Sequence, residues 1–273
     1  MAHDKKFVEK YGPWALITGA SAGIGAEFAR QVAAKGVHVA LVARRADKLD
    51  ALAREIEDTT DARALAIVAD LTDEYFLQTI VEALDIRHIG LLINNAGSGD
   101  TGAFLDHDLE QELGALALNC RAPLMLTHHF GQTMRDEGRG GIIMLSSIAG
   151  LQPVPRFAHY SATKAWNRFL GESLHEELKS GGIDVVSLCP GPTDSEFFEQ
   201  VHVDPAHWPA PLRATVMDAK TVVAAGLKGL GRSSQVVPGV AYRMLMRAGR
   251  VAPQRIPSWM SHQIMRFAAP GKK

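Results

Sequence analysis

Apolar residues fall in short unbroken runs separated by longer mixed stretches. Trp14–Thr18, Val37–Val42, Ala64–Ala69, Ile89–Asn94, Gly141–Ser146 and Ile183–Cys189 are such runs, and a shorter one at Gln235–Val237 makes seven. Unbroken rather than alternating apolarity marks strands buried on both faces. The stretches between them predict helices at Gly23–Lys35, Asp47–Glu57, Asp73–Leu84 and His159–Lys179. A longer helix is expected over His107–Met134, interrupted near Pro123 or Gly114. Strands alternating with helices predict right-handed crossovers and an α/β fold: a doubly wound parallel sheet of about seven strands flanked by helices. Ligands on such sheets sit beyond the carboxyl ends of the strands. A length of 273 residues suits one domain, with 194–218 as a substrate lid and 239–273 as a basic C-terminal extension.

The first run ends in Thr18-Gly-Ala-Ser-Ala-Gly-Ile-Gly25 and a helix follows. Gly19, Gly23 and Gly25 permit a tight turn and close backbone approach, with Ser21, Ala22 and Ile24 between them. The free amides opening the helix would face a pyrophosphate. At the end of the second run an acid would hold the ribose 2′-hydroxyl of NAD, whereas an arginine accommodates a 2′-phosphate. The chain has Arg44 and Arg45 there, and Asp47 comes late enough to be a helix-start residue. The expected cofactor is therefore NADP(H), with Arg44 the first phosphate ligand and Arg45 the second.

Tyr160 and Lys164 are four apart on a predicted helix and share a face. A cation beside a phenol favours the phenolate, so Lys164 is expected to lower the Tyr160 pKa. Ser147 ends the fifth run and can donate to a substrate oxygen; Ser146 points the other way if the strand persists. A proton donor beside a dinucleotide site implies hydride chemistry on a carbonyl or alcohol.

In order, the chain carries the glycine turn, Asn94-Asn-Ala-Gly97, Ser147, Tyr160-Ser-Ala-Thr-Lys164 and Pro190-Gly-Pro-Thr193. It resembles the short-chain dehydrogenase/reductase family over residues 18–193. Lys10-Tyr-Gly-Pro-Trp14 and the C-terminal tail look like the 3-ketoacyl reductase and hydroxysteroid dehydrogenase branch. The resemblance implies a Rossmann-type sheet and a serine thirteen residues before the tyrosine, which selects Ser147. It implies that Asp70 and Leu71 contact adenine and that Asn95, with Ala96 and Gly97, lines the cofactor cleft. Tyr160 and Lys164 would also touch the nicotinamide ribose, and Thr193, after Pro190 and Gly191, would sit by the carboxamide. Asn119 matches the family's fourth catalytic member, which bends a helix and holds a water linking the lysine to solvent. The implied activity is NADPH-dependent reduction of a carbonyl, with oxidation of a secondary alcohol or non-catalytic NADP(H) sensing as alternatives. Homodimers or homotetramers are usual in the family.

Phe197, Phe198, Trp208 and Met217 suggest an apolar substrate pocket, with Phe157, Pro153 and Pro155 as its opposite wall. A lipophilic ketone, a 3-oxoacyl thioester or a steroid-like carbonyl would fit. The composition, 47% apolar and 22% charged, supports a full core. The net charge of −1 hides a division: residues 219–273 hold ten Lys or Arg and no acid. Trp259, Met260, Ile264 and Phe267 approximate a helical stripe within that basic stretch. It reads either as a membrane-surface or acyl-carrier contact, or as a helix covering the substrate pocket or an oligomer interface. Nothing suggests nucleic acid as a partner. Cys120 and Cys189 match no metal or redox spacing, and adjacent His128 and His129 do not share a helix face, so no metal is expected. His159 is read as a bystander. The polar opening, with no apolar signal core behind it, fits a cytoplasmic protein.

Overall fold

The computed structural model describes residues 4–201, 203–240, 242–244, 261–263 and 265. Seven parallel strands form one sheet: β1 (Trp14–Thr18), β2 (His38–Ala43), β3 (Ala64–Val68), β4 (Ile89–Asn94), β5 (Gly140–Leu145), β6 (Ile183–Leu188) and β7 (Gln235–Val236). Their order is β3-β2-β1-β4-β5-β6-β7. It reverses between β1 and β4, which opens a crevice at the carboxyl ends of those strands.

Helices α1 (Lys5–Tyr11), α2 (Gly23–Ala34), α3 (Ala46–Thr59), α4 (Phe76–Leu84), α5 (Leu109–Leu116), α6 (Ala122–Glu137) and α7 (Ala158–Leu178) precede β6. Short α8 (Phe197–Gln200) and α9 (Ala210–Arg213) follow it, and α10 (Ala219–Gly229) leads to β7. Strand alternation divides the core. Ala15, Ile17, Leu41, Leu91, Ile93 and Ile143 face α2, α3 and α10, where Phe28, Val32, Leu49 and Val223 cover them. Leu16, Ala40, Val42, Leu92, Ile142 and Met144 face α4, α6 and α7, under Phe76, Ile80, Leu126 and Trp166. Fully burying each large aliphatic side chain contributes about 1.5–3 kcal/mol, so the crevice sits on a rigid platform.

The helix expected over His107–Met134 is instead α5 and α6, joined by a π-helical stretch at Ala117–Arg121. Pro123 explains the break. It offers no amide for an α-helical bond to the Asn119 carbonyl, and its ring would clash with that carbonyl in a regular helix. Asn167 Nδ2 donates to the same oxygen at 2.8 Å. Among the described residues no helix is long and apolar enough to cross a membrane.

Candidate active site

One cavity of about 610 Å³ follows the crevice from the glycine turn to α9. At its near end Gly19 (φ +65°) and Gly23 (φ +55°) adopt conformations that L side chains rarely take. A Cβ on Gly25 would lie 2.2 Å from the Gly19 carbonyl oxygen. Helix α2 starts at Gly23 with Ala22 as its cap, so no side chain occupies its opening amides. Asn95 Nδ2 holds the turn, donating to the Thr18 and Gly19 carbonyls at 2.8 and 3.2 Å. Thr18 Oγ1 accepts from the amides of Asn95 and Ala96, both at 3.0 Å. This side-chain-free cradle before a helix fits a dinucleotide pyrophosphate.

Beyond the cradle, Arg44 is largely exposed and lies 3.8 Å from the Asp70 carboxylate. Arg45 is held more firmly, donating to Ser21 Oγ at 2.8 Å and to Glu196 Oε2 at 2.7 Å. Asp70 and Leu71 line the same end. Pro190, Gly191 and Thr193 line the middle, near Asn95, Ala96 and Gly97.

Tyr160, Ser147 and Lys164 converge there. Ser147 follows β5, lines the cavity and shares a hydrogen bond with Tyr160. Ser146 turns away as expected, donating to the Lys164 carbonyl at 2.6 Å. Tyr160 is nearly buried, stacked on Phe157 with ring centroids 4.2 Å apart and tilted against Phe197 at 5.4 Å. Lys164 Nζ donates to the Leu145 carbonyl at 2.9 Å. A Cβ on Gly97 would lie 3.0 Å from Lys164 Nζ and 3.1 Å from Asn119 Oδ1, so both polar atoms reach one small space. Asn119, fully buried in the π stretch, donates to the Ser98 carbonyl at 2.7 Å and to Thr163 Oγ1 at 3.0 Å.

The expected lowering of the Tyr160 pKa is not what this packing gives. Burial pushes the phenol up, and the Ser147 hydrogen bond only partly opposes it. The Lys164 ammonium lies 5.7 Å from the ring centroid, and burial pulls Lys164 itself down to about 8. The phenol is thus protonated at neutral pH and able to donate.

The far chamber is apolar. Phe157, Phe197, Phe198 and Trp208 line it as expected, joined by Val154, Val201, Val203 and Leu212. Met217 does not line it; it packs against the core, its backbone tied to Pro192 and Asp194. Val154 faces the chamber, whereas Pro153 and Pro155 on either side are not among its lining residues. Tail residues Tyr242, Ser261 and Met265 also line it. Trp259, Met260, Ile264 and Phe267 lie outside the described residues. His159 points away from the cavity, and its ring pairs with Glu112, which also holds His107. The sequence offered no signal for that cluster, or for Glu196, because the partners are far apart in the chain. Both cysteines are free and buried, and no metal-binding group occurs among the described residues.

A side-chain-free glycine cradle at the switch point and a buried Tyr–Ser–Lys cluster beside it line one continuous cavity. The family model for short chain dehydrogenases matches residues 13–205, and the chain belongs to that family. It is 37% identical over 181 residues to a very-long-chain 3-oxoacyl-CoA reductase of Neurospora crassa, spanning 64% of this chain and 54% of that protein. Among solved structures, a short-chain dehydrogenase from Sphingobium yanoikuyae in complex with NADPH has a TM-score of 0.76 at 34% identity, covering 88% and 93% of the two chains. A bulky-bulky ketone specific alcohol dehydrogenase from Comamonas testosteroni has a TM-score of 0.74 at 33% identity, covering 88% and 92%.

Proposed function

We propose that the protein uses NADPH to reduce an apolar ketone or 3-oxoacyl substrate to a secondary alcohol, with Tyr160 as proton donor. The observation that carries this reading is a protonated, buried phenol bonded to Ser147 between the glycine cradle and an apolar chamber. A nicotinamide bound there supplies hydride. Ser147 donates to the carbonyl oxygen and orients it, and the Tyr160 O–H delivers the proton to that oxygen. Lys164 holds positive charge behind the phenol, and Asn119 fixes the backbone at Ser98. Arg44 and Arg45 take the 2′-phosphate. Residues 194–218 form a lid over the chamber, whose aromatic lining suits a bulky or acyl chain. The relatives named for 3-oxoacyl-CoA and bulky ketones, and the neighbour crystallised with NADPH, support the same choice. The outer face of α5 exposes Leu109, Leu113 and Leu116 at i, i+4, i+7 spacing, and we read it as a contact between copies in a homodimer or homotetramer.

A panel of ketones and 3-oxoacyl thioesters, scored by NADPH and NADH consumption, tests the reaction. Turnover should require an apolar carbonyl and favour NADPH. Tyr160→Phe should lower turnover by roughly 10²–10⁴-fold while the NADPH Kd stays within about twofold of wild type. Wild-type turnover in that variant would remove the tyrosine from the chemistry.

A further inference from the structure

Three consecutive residues, Ser195, Glu196 and Phe197, reach the glycine cradle, the Arg45–Lys48 end and the tyrosine. The Ser195 Cβ lies 2.9 Å from where a Cβ on Gly23 would stand, so this residue overhangs the glycine cradle. Phe197 reaches the Tyr160 ring on one side. On the other, Glu196 Oε2 accepts from Arg45 at 2.7 Å and its Oε1 from Lys48 at 2.5 Å. Hydrogen bonds from Lys48 and Arg45 hold the Glu196 carboxyl below the usual carboxylate range, so it is ionised at neutral pH. Arg45 completes its own geometry on Ser21, within the turn.

We infer that Glu196 determines cofactor specificity by occupying, as an internal anion, the cations that would read a 2′-phosphate. The inference rests on the proposed role of Arg44 and Arg45. Arg44, Arg45 and Lys48 against the Asp70 and Glu196 carboxylates leave a single positive charge facing a phosphate monoester that brings about −1.5 to −2. The phosphate must displace Glu196 from Arg45 or bind beside a like charge. An NADH ribose brings no such charge and leaves the Glu196 pairs intact. The carboxylate therefore lowers NADPH affinity selectively. The same movement would release Phe197 from Tyr160, because the two residues are adjacent, and so would link phosphate binding to the lid.

The test is Glu196→Gln, which keeps the size of the side chain and removes its charge. Dissociation constants for NADPH and NADH are measured by nucleotide fluorescence at low salt, with far-UV circular dichroism to verify folding. The ratio of NADH to NADPH dissociation constants should rise by roughly three- to tenfold, with the NADH value unchanged, and the gain should shrink in 0.5 M salt. An unchanged or lowered ratio overturns the inference, since Glu196 would then be neutral or would position the cations for phosphate. The wild-type ratio reports separately on the NADPH reading. A wild type that prefers NADH, joined with a rise in the variant, sinks the NADPH reading and keeps Glu196 as its cause; a wild type that prefers NADPH, joined with no rise, does the reverse.

Discussion

Lys164 carries an ammonium into a position only 3% exposed, and burial lowers its pKa from 10.5 to about 8. The unfolded chain therefore binds a proton between about pH 8 and 10.5 that the folded chain has released. Stability rises with pH wherever the unfolded state binds more protons, so Lys164 makes the protein more stable across that window. Below pH 8 both states are protonated and the burial penalty is carried in full. Tyr160 acts in the opposite sense: its raised pKa keeps a proton that the unfolded chain loses above pH 10, which removes stability there. In Lys164→Met the rise from pH 8 to 10 should vanish. At about 1.4 kcal/mol per pH unit the difference comes to somewhat over 3 kcal/mol, as an order of magnitude, over the full lysine window. Urea unfolding of both proteins at pH 7.5 and 9.5 reads it directly, and parallel stabilities would mean that the lysine is not buried as a cation. The lysine and its neighbouring tyrosine were legible in the chain because four-residue spacing on a helix is local. The balance of burial against charge was not, because it depends on Leu145, Gly97 and Asn119 arriving from three other elements.

The π stretch between α5 and α6 is the element whose shape carries most chemical consequence. Pro123 prevents a regular turn, the Asn119 carbonyl turns to Asn167, and the Asn119 side chain is left free to clamp Ser98 and Thr163. Ser98 belongs to the loop after β4, and Thr163 lies one residue before Lys164. In Pro123→Ala the restored amide should close an α-helical bond onto the Asn119 carbonyl and draw the side chain out of register. We expect kcat to drop roughly tenfold to a hundredfold, since small displacements next to reacting groups are costly, with the far-UV spectrum unchanged. A kcat within twofold of wild type would show that the π geometry has no bearing on the site. Proline flagged an interruption in the sequence, but its position alone fits a kink, a break or a cap equally well. Only the competing donor, Asn167, decides between them, and that residue is 48 positions from Asn119. Helix α10 was missed for a related reason: its buried Val222, Val223 and Leu227 form a short stripe, and the Asp218 cap on Thr221 was not read as a start.

At the scale of the whole molecule, the sheet and its switch point followed from unbroken apolar runs, because strands buried on both faces announce themselves. The chamber followed only in part: the aromatic Phe157, Phe197, Phe198 and Trp208 stood out, but Val154, Leu212 and the tail residues Tyr242, Ser261 and Met265 reach it from loops and segments far apart in the chain. The basic tail read as a membrane-surface or acyl-carrier contact, or, with somewhat more weight, as a cover for the pocket or an oligomer interface. Its described residues favour the cover. Tyr242 donates to Thr215 Oγ1 at 2.6 Å and packs on Gly191, while Ser261 accepts from Gln152 at 2.5 Å. Both bonds anchor the tail to segments that form the chamber. Removing residues 241–273 should therefore raise KM for a bulky ketone by roughly tenfold, as lost apolar burial of a few methylenes would. The KM for a small ketone and the Kd for NADPH should stay within twofold, because the contacts of the described tail residues named above fall on Gly191, Thr215 and Gln152 rather than on the glycine cradle, Arg44 or Arg45. Cosedimentation with anionic vesicles separates the two roles. Full-length protein that pellets with such vesicles, together with a truncation that leaves the bulky-ketone KM untouched, would make the tail a membrane contact and the chamber complete without it.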